Sequence, residues 1–202
     1  MSVITSEAAL RALYAEPNER AVKKQLSALD VHCRRFISLS PFLVIATTSS
    51  SFDMDASPRG GVAGFAKVDA GGALLIPDSP GNNRLDSLEN IVRTGAVGLL
   101  FMIPGIDETL RVNGRAVLSQ AQDDIALCTD ERRAPKLVIR VTVEAAYLQC
   151  AKAFMRSKLW DASAHLPSSA LPTIGQMIDD HSGTHTAPET REAMALRYEP
   201  DL

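Results

Sequence analysis

The pattern of apolar and polar positions changes character near Pro41. Before it, the spacing is helical. Ser6 precedes Glu7 and a segment carrying Leu10, Leu13 and Tyr14, an amphipathic start with its own cap. Pro17-Asn18 breaks that segment. Val22, Leu26 and Leu29 then recur at helical spacing, and Asp30 caps a third helix running through Phe36 and Ile37. A helical preface of this kind is expected to pack on the outside of whatever follows.

After Pro41 the apolar residues come in short runs. Phe42–Thr48 predicts a strand, and Val62–Val68 a second one after a loop of Ser, Asp and Gly. Asp69-Ala70-Gly71-Gly72 predicts a hairpin into a short strand at Leu74–Ile76. Pro77 halts that run, and Asp78-Ser79-Pro80-Gly81-Asn82-Asn83 is loop chemistry. Arg84 then opens a helix whose Leu85, Leu88 and Ile91 or Val92 share a face. Val97–Ile103 is nearly all apolar and too short for a free-standing helix, which predicts a strand covered on both sides. Pro104-Gly105 turns the chain into a strand at Thr109–Val117, and Asp123–Cys128 reads as a short helix. Leu137, Ile139, Val141 and Val143 alternate with Val138, Arg140, Thr142 and Glu144 as a half-buried strand. Ala146–Leu159 reads as a long helix with Leu148, Ala151, Met155 and Leu159 on one side, Asp161–Pro172 as a loop, and Ile174–Ile178 as a short helix. About six mainly antiparallel strands, short turns and one helical crossover suit a split or closed barrel with peripheral helices better than βαβ units. The fold class is therefore β-rich α+β. The expected division is a helical extension over residues 1–40, a barrel over 41–181 and a mobile charged tail over 182–202.

Composition narrows the partners. The 202 residues carry a net charge of −3, which gives no electrostatic case for nucleic acid or an anionic membrane. No apolar run approaches the ~20 residues of a membrane span, and no basic-then-apolar leader opens the chain. Cys33, Cys128 and Cys150 are odd in number and widely spaced, so they frame neither disulfides nor a zinc site, and a cytoplasmic setting is expected. Neither Cys128 nor Cys150 has a neighbouring base to activate it. His181 and His185 have helical ligand spacing, but Ser182-Gly183-Thr184 between them is a poor helix, and no metal is expected. His32 and His165 read as surface residues. Gly-x-Ser-x-Gly, P-loop and Gly-x-Gly-x-x-Gly patterns are absent. The stretch from Asp78 to Ser87 does carry a chemical signal. A loop and helix start with Asn82, Asn83, Arg84 and Ser87 gathers N–H groups and a guanidinium, which suits a phosphate.

Four segments, DASPRGG (55–61), LLIPDSPGNNRLDSL (74–88), VGLLFMIPGIDETLRVNGRA (97–116) and CAKAFMRSKLW (150–160), resemble the pyridoxamine-phosphate-oxidase-like FMN-binding proteins, in particular their uncharacterised probable FMN-dependent branch. The resemblance spans about Asp30 to His181. It implies a split β-barrel, a homodimer, and FMN at the subunit interface. It implies that Arg59 and Arg84 hold the FMN phosphate, with Lys67 a weaker candidate, and that Asn83 and Ser87 reach phosphate or ribityl oxygens. Pro77 and Asp78 fall where relatives pass backbone along the flavin, and Thr109 where they set a polar side chain against the ring. Lys152, Arg156, Ser157 and Trp160 match the C-terminal residues that close over the flavin of the other subunit. Each has a plainer alternative: solvated charges for the cations, loop or helix-end hydrogen bonds for Asn83 and Ser87, an ordinary strand residue for Thr109. The implied activity is an FMN-dependent oxidoreductase on an unidentified small molecule. Because the flavin carries the electrons, no catalytic side chain is assigned. A non-enzymatic flavin or haem binder and a deazaflavin-dependent reductase are the alternatives. True pyridoxamine-phosphate oxidase activity is not expected, since the family's C-terminal Arg-x-His element occurs nowhere in the chain.

Overall fold

The computed structural model describes residues 3–130, 133–184, 187 and 189–201. Its described strands are β1 (Phe42–Thr48), β2 (Met54–Gly60), β3 (Lys67–Val68), β4 (Leu74–Pro77), β5 (Ala96–Ile103), β6 (Ile106–Ser119) and β7 (Val138–Gln149). They form one sheet in the order β2-β1-β5-β6-β7-β4-β3, with every neighbouring pair antiparallel. The helices are α1 (Glu7–Arg11), α2 (Glu19–Lys23), α3 (Val31–Leu39), α4 (Asp86–Thr94), α5 (Gln122–Cys128), α6 (Lys152–Ser157), α7 (Ile174–Ser182) and α8 (Arg191–Tyr198). The architecture is a curled antiparallel sheet with helices, the split barrel that the strand pattern predicts.

One face of the sheet carries the core. Leu43 and Ile45 of β1, Leu99 and Phe101 of β5, Leu110 and Val112 of β6, and Ile139 and Val141 of β7 alternate with residues facing the other way. Cys33 and Ile37 of α3 and Leu88 and Ile91 of α4 complete the same cluster. Burying each large side chain here is worth ~1.5–3 kcal/mol relative to exposure. Across the sheet a smaller cluster of Leu75, Cys128 and Val138 seats α5. Arg140 crosses that second face, its two terminal nitrogens pairing with Asp69 of the β3–β4 hairpin at 2.5 Å and Asp124 of α5 at 2.7 Å. The two long strands β6 and β7 form the spine, and a register shift at Asn113/Gly114 bends it.

The structure corrects four sequence expectations. Met54–Gly60, read as a loop, is the edge strand β2, which makes seven strands rather than six. Its Pro58 is tolerated because an edge strand leaves one row of N–H groups unpaired. The strand expected over Val62–Val68 shrinks to Lys67–Val68. Ahead of it Gly64 at φ +76° lies against Ser38, in a turn that sinks Phe65 and Ala66 into the core. The helix expected from Ala146 starts only at Lys152, because β7 continues to Gln149. That extension is held on its second side by Leu26, whose backbone bonds reciprocally to Ala146 at 2.9 and 2.8 Å. Finally, the tail beyond residue 182 includes α8 rather than only linker, with Thr190 capping its first turn. His185 lies outside the described residues. The three cysteines are free.

Candidate functional site

The sheet ends with β2 on one side and β4-β3 on the other, and Arg59 and Asp78 meet from those two ends. Arg59 pairs in register with Leu43, so its side chain lies on the core face of β2, along with Asp55 and Ser57. From the far end of the sheet comes Asp78, the residue after β4, tied by its backbone N–H to the Leu137 carbonyl at 3.0 Å. Arg59 Nη1 and Asp78 Oδ1 stand 3.7 Å apart, with each side chain about 20% exposed. This pair spans the split of the barrel. It is an ion pair without a hydrogen bond. Arg59 Nε is buried and has no acceptor. Burial pushes the Asp78 carboxyl above its ordinary range, and the positive charges of Arg59 and Lys136 recover only part of that cost.

A second link joins β2 to α4. Ser87, in the first turn of α4 and 4% exposed, donates its hydroxyl to Asp55 Oδ2 at 2.5 Å. The Thr47 hydroxyl approaches the same oxygen at 3.5 Å, and Asn90 one turn on donates its amide to Thr47 Oγ1 at 3.1 Å. Ser87 and Asn90 thus bind the inner side of α4 to β1 and β2, while Leu88 and Ile91 supply its apolar contact. The helix ends at Gly95, whose φ of +66° closes it in the left-handed conformation.

The loop ahead of α4 holds Asn83 at φ +60°, a turn conformation that asparagine tolerates. Asn82 Oδ1 accepts from the Arg84 backbone N–H at 3.0 Å. The Arg84 guanidinium is exposed and paired with Asp86 at 3.0 Å. This loop is therefore fixed to the Arg59 strand through Ser87, although Arg84 itself faces solvent.

The remaining sequence candidates lie elsewhere. Lys67 pairs with Leu75, so it occupies the opposite face, near Cys128 and α5. Its charge works against the burial that pushes the Cys128 thiol up to about 11. Pro77 pairs with Val138 on that same face. Thr109, 4% exposed, donates to Gln149 Oε1 at 3.3 Å across β6 and β7. Lys152, Arg156 and Trp160 do not form the single helix face their spacing implies. Helix α6 stops at Ser157, because Lys158 takes a left-handed φ of 53°. Trp160 folds back instead, donating Nε1 to the Ile106 carbonyl at 3.0 Å and stacking near Phe154 at 5.6 Å. Lys152 and Arg156 are exposed, and Ser157 donates to the Phe154 carbonyl at 3.1 Å. These five residues form a second group around the β5–β6 turn and α6. Asp55 and Ser57 are the site residues that sequence reasoning missed. Their signal was alternation, every second residue of 55–59 being polar, but Pro58 obscured the strand.

No group of three or more potential metal ligands occurs among the described residues, and no described helix is long and apolar enough to cross a membrane. The sequence model of the family described as pyridoxamine 5'-phosphate oxidase matches residues 29–150. Solved structures similar to this chain include HupZ of Group A Streptococcus, at 13% identity over 59% of this chain and 92% of that one, TM-score 0.48. They also include an FMN-binding protein from Syntrophomonas wolfei, at 10% identity over 58% and 83%, TM-score 0.42. No curated protein sequence matches.

Proposed function

Since the chain belongs to the pyridoxamine 5'-phosphate oxidase family, we propose that it is an FMN-binding flavoprotein acting as an oxidoreductase on a small molecule. The observation that carries this reading is the buried Arg59 Nε, a donor with no acceptor in the protein. Buried donors are nearly always paired, so a ligand oxygen is the partner this group fits. The Ser57 hydroxyl beside it on β2 also takes no protein partner among the described residues. Donors on β2, an acceptor at Asp78 and the N–H-rich loop before α4 form a set matched to a polar, oxygen-rich cofactor.

Arg59, Ser57 and Asp78 would hold the cofactor at the split, and Asn83 and Arg84 would reach it from the loop. Bound there, a flavin supplies reversible hydride and single-electron chemistry. The chain's own part is to position and shield. Ser87 and Asn90 fix α4 against β1 and β2, so the loop ahead of it is presented at a set height. Trp160, set against Phe154, ties α6 to the start of β6 through its bond to the Ile106 carbonyl. Lys152, Arg156 and Ser157 stay exposed on this chain, the arrangement expected of residues that serve a second copy in a homodimer. A scattering mass of a single chain with flavin bound would overturn that dimer.

The absorption spectrum of freshly purified, untagged protein tests the cofactor. The two-banded visible spectrum of an oxidised flavin is expected, with FMN as the mass released on denaturation. A haem spectrum, or FAD alone, overturns the reading. Reduction by a nicotinamide followed by reoxidation with an acceptor separates an enzyme from a carrier.

A further inference from the structure

Helix α5 lies on the outer face of the sheet, apart from the main core, and charge rather than apolar burial docks it there. Its buried side chains are Asp124 and Cys128, with Ile125 partly covered. The apolar seat beneath them is Leu75 of β4 and Val138 of β7. Helix α4, by contrast, sends Leu88 and Ile91 into the main core. Asp124, 8% exposed, accepts from the Ser119 hydroxyl at 2.6 Å and from Arg140 Nη1 at 2.7 Å, one on each oxygen. Arg140 carries the link on to Asp69, whose other oxygen accepts from the Ala73 N–H at 2.8 Å. Ser119, Asp124, Arg140 and Asp69 therefore tie the end of β6, α5, β7 and the β3–β4 hairpin in one row. Taking out Arg140 leaves two carboxylates short of a partner, so the row fastens as a whole or not at all.

The chain path lets this helix move by itself. β6 ends at Ser119 and β7 begins at Val138, so α5 lies inside a single connection. Lifting it breaks none of the described strand pairings. A segment with few buried apolar contacts and no place in the sheet belongs to the low-stability end of a fold. Two buried thiols make the difference visible. Cys128 sits in the seat of α5, while Cys33 of α3 sits in the main core. Burial pushes both thiols up to about 11, so neither reacts while covered. Cys150 is exposed throughout.

We propose that α5 is a hinged lid, fastened by the Arg140 row, which lifts from Leu75 and Val138 while the barrel stays folded and so uncovers Cys128 and the outer face of β4. The lid works whatever the split of the barrel binds.

The test is iodoacetamide labelling of the full chain at neutral pH, resolved cysteine by cysteine by mass spectrometry. Cys150 should react first, Cys128 next and Cys33 last, with Cys128 at least about tenfold ahead of Cys33. Added urea should speed Cys128 less steeply than Cys33, because lifting one helix exposes less surface than unfolding the barrel. Arg140→Gln removes a contact that is lost in both openings, so it should speed both buried cysteines by about tenfold or more. Ile45→Val loosens the main core alone and should speed Cys33 by about two- to tenfold while leaving Cys128 within about twofold. Where Arg140→Gln fails to fold, Ser119→Ala takes one donor from Asp124 and should give the same pattern at a smaller factor. Cys128 that follows Cys33 in urea and in Ile45→Val would show that α5 opens only with the barrel, which overturns the proposal. Cys128 as fast as Cys150 in wild type, or unmoved by both latch variants, overturns it as well.

Discussion

Replacing Ser87 by Ala separates two roles for a residue that sequence alone places at the phosphate loop. The structure commits its hydroxyl to Asp55 Oδ2 at 2.5 Å. A hydrogen bond to an ionised carboxylate is worth roughly 1.5–3 kcal/mol. Among the described residues the other donor near that oxygen is the Thr47 hydroxyl at 3.5 Å, too distant to compensate. Asp55 is half-buried, so water enters in part, and the expected loss falls in the lower half of the range, about 1.5–2 kcal/mol. For a chain of this length that corresponds to a fall in Tm of roughly 3–8 °C. Urea unfolding of flavin-free protein measures it as a lower midpoint at unchanged slope. The cycle with Asp55→Ala then tests the cause: the double variant should lose less than the sum of the singles by at least about 1 kcal/mol. Additive losses, or a Ser87→Ala loss below about 0.5 kcal/mol with weakened FMN binding, would show that Ser87 serves the ligand and not the helix.

Three further outcomes are expected. A Cβ added at Gly114 would lie 2.1 Å from the Thr142 carbonyl oxygen, a backbone atom that cannot rotate away. Gly114→Ala should therefore cost roughly 3 kcal/mol or more; a melt like wild type would refute the β6–β7 bend. Asp78→Asn should stabilise the flavin-free fold at neutral pH, because burial raises the folded carboxyl above its unfolded value of 3.8. Its ionised form then burdens the fold above the folded pKa, and the gain over wild type should vanish as pH falls through it; a gain that grows in acid has the wrong sign. FMN-loaded protein should form pyridoxal phosphate from pyridoxine phosphate more slowly than the ordinary enzymatic scale of about 1 per second, since no Arg-x-His is present; faster turnover would show that another part of the chain holds that substrate.

What the sequence displayed and what it hid follow from the range of the forces involved. β1, β5 and β6 are legible because their apolar residues alone demand a buried strand. β2 is not, since Asp55, Ser57 and Arg59 face inward, Asp55 and Arg59 meeting Ser87 of α4 and Asp78 after β4, and a polar inner face carries no hydrophobic period. The end of β7 was misread for a related reason. Ala146 and Leu148 fit a helical stripe as well as a strand, and the deciding contact is the Leu26 backbone, more than a hundred residues earlier. At the site, the Asn83–Arg84–Ser87 loop stood out by its residue types. The partners Asp55 and Asp78 became meaningful only when the curled sheet brought its two ends together.

The position of β4 has a bearing on how the protein is made. β4 precedes α4, β5 and β6 in the chain, yet its strand neighbour on the core side is β7, with Leu74 opposite Val141 and Ile76 opposite Ile139. On a ribosome β4 therefore emerges with only the two-residue β3 to pair with, long before β7, and its three fully buried residues must wait exposed or in temporary contacts. β1, β2 and β5 can assemble meanwhile, since they pair with one another. Asp78 reaches Arg59 only after β7 has docked β4, so on the proposed flavin reading cofactor capture would wait for a nearly finished chain. Nascent chains arrested before Val138 should be unable to retain flavin, however much of the loop at Arg84 they already contain.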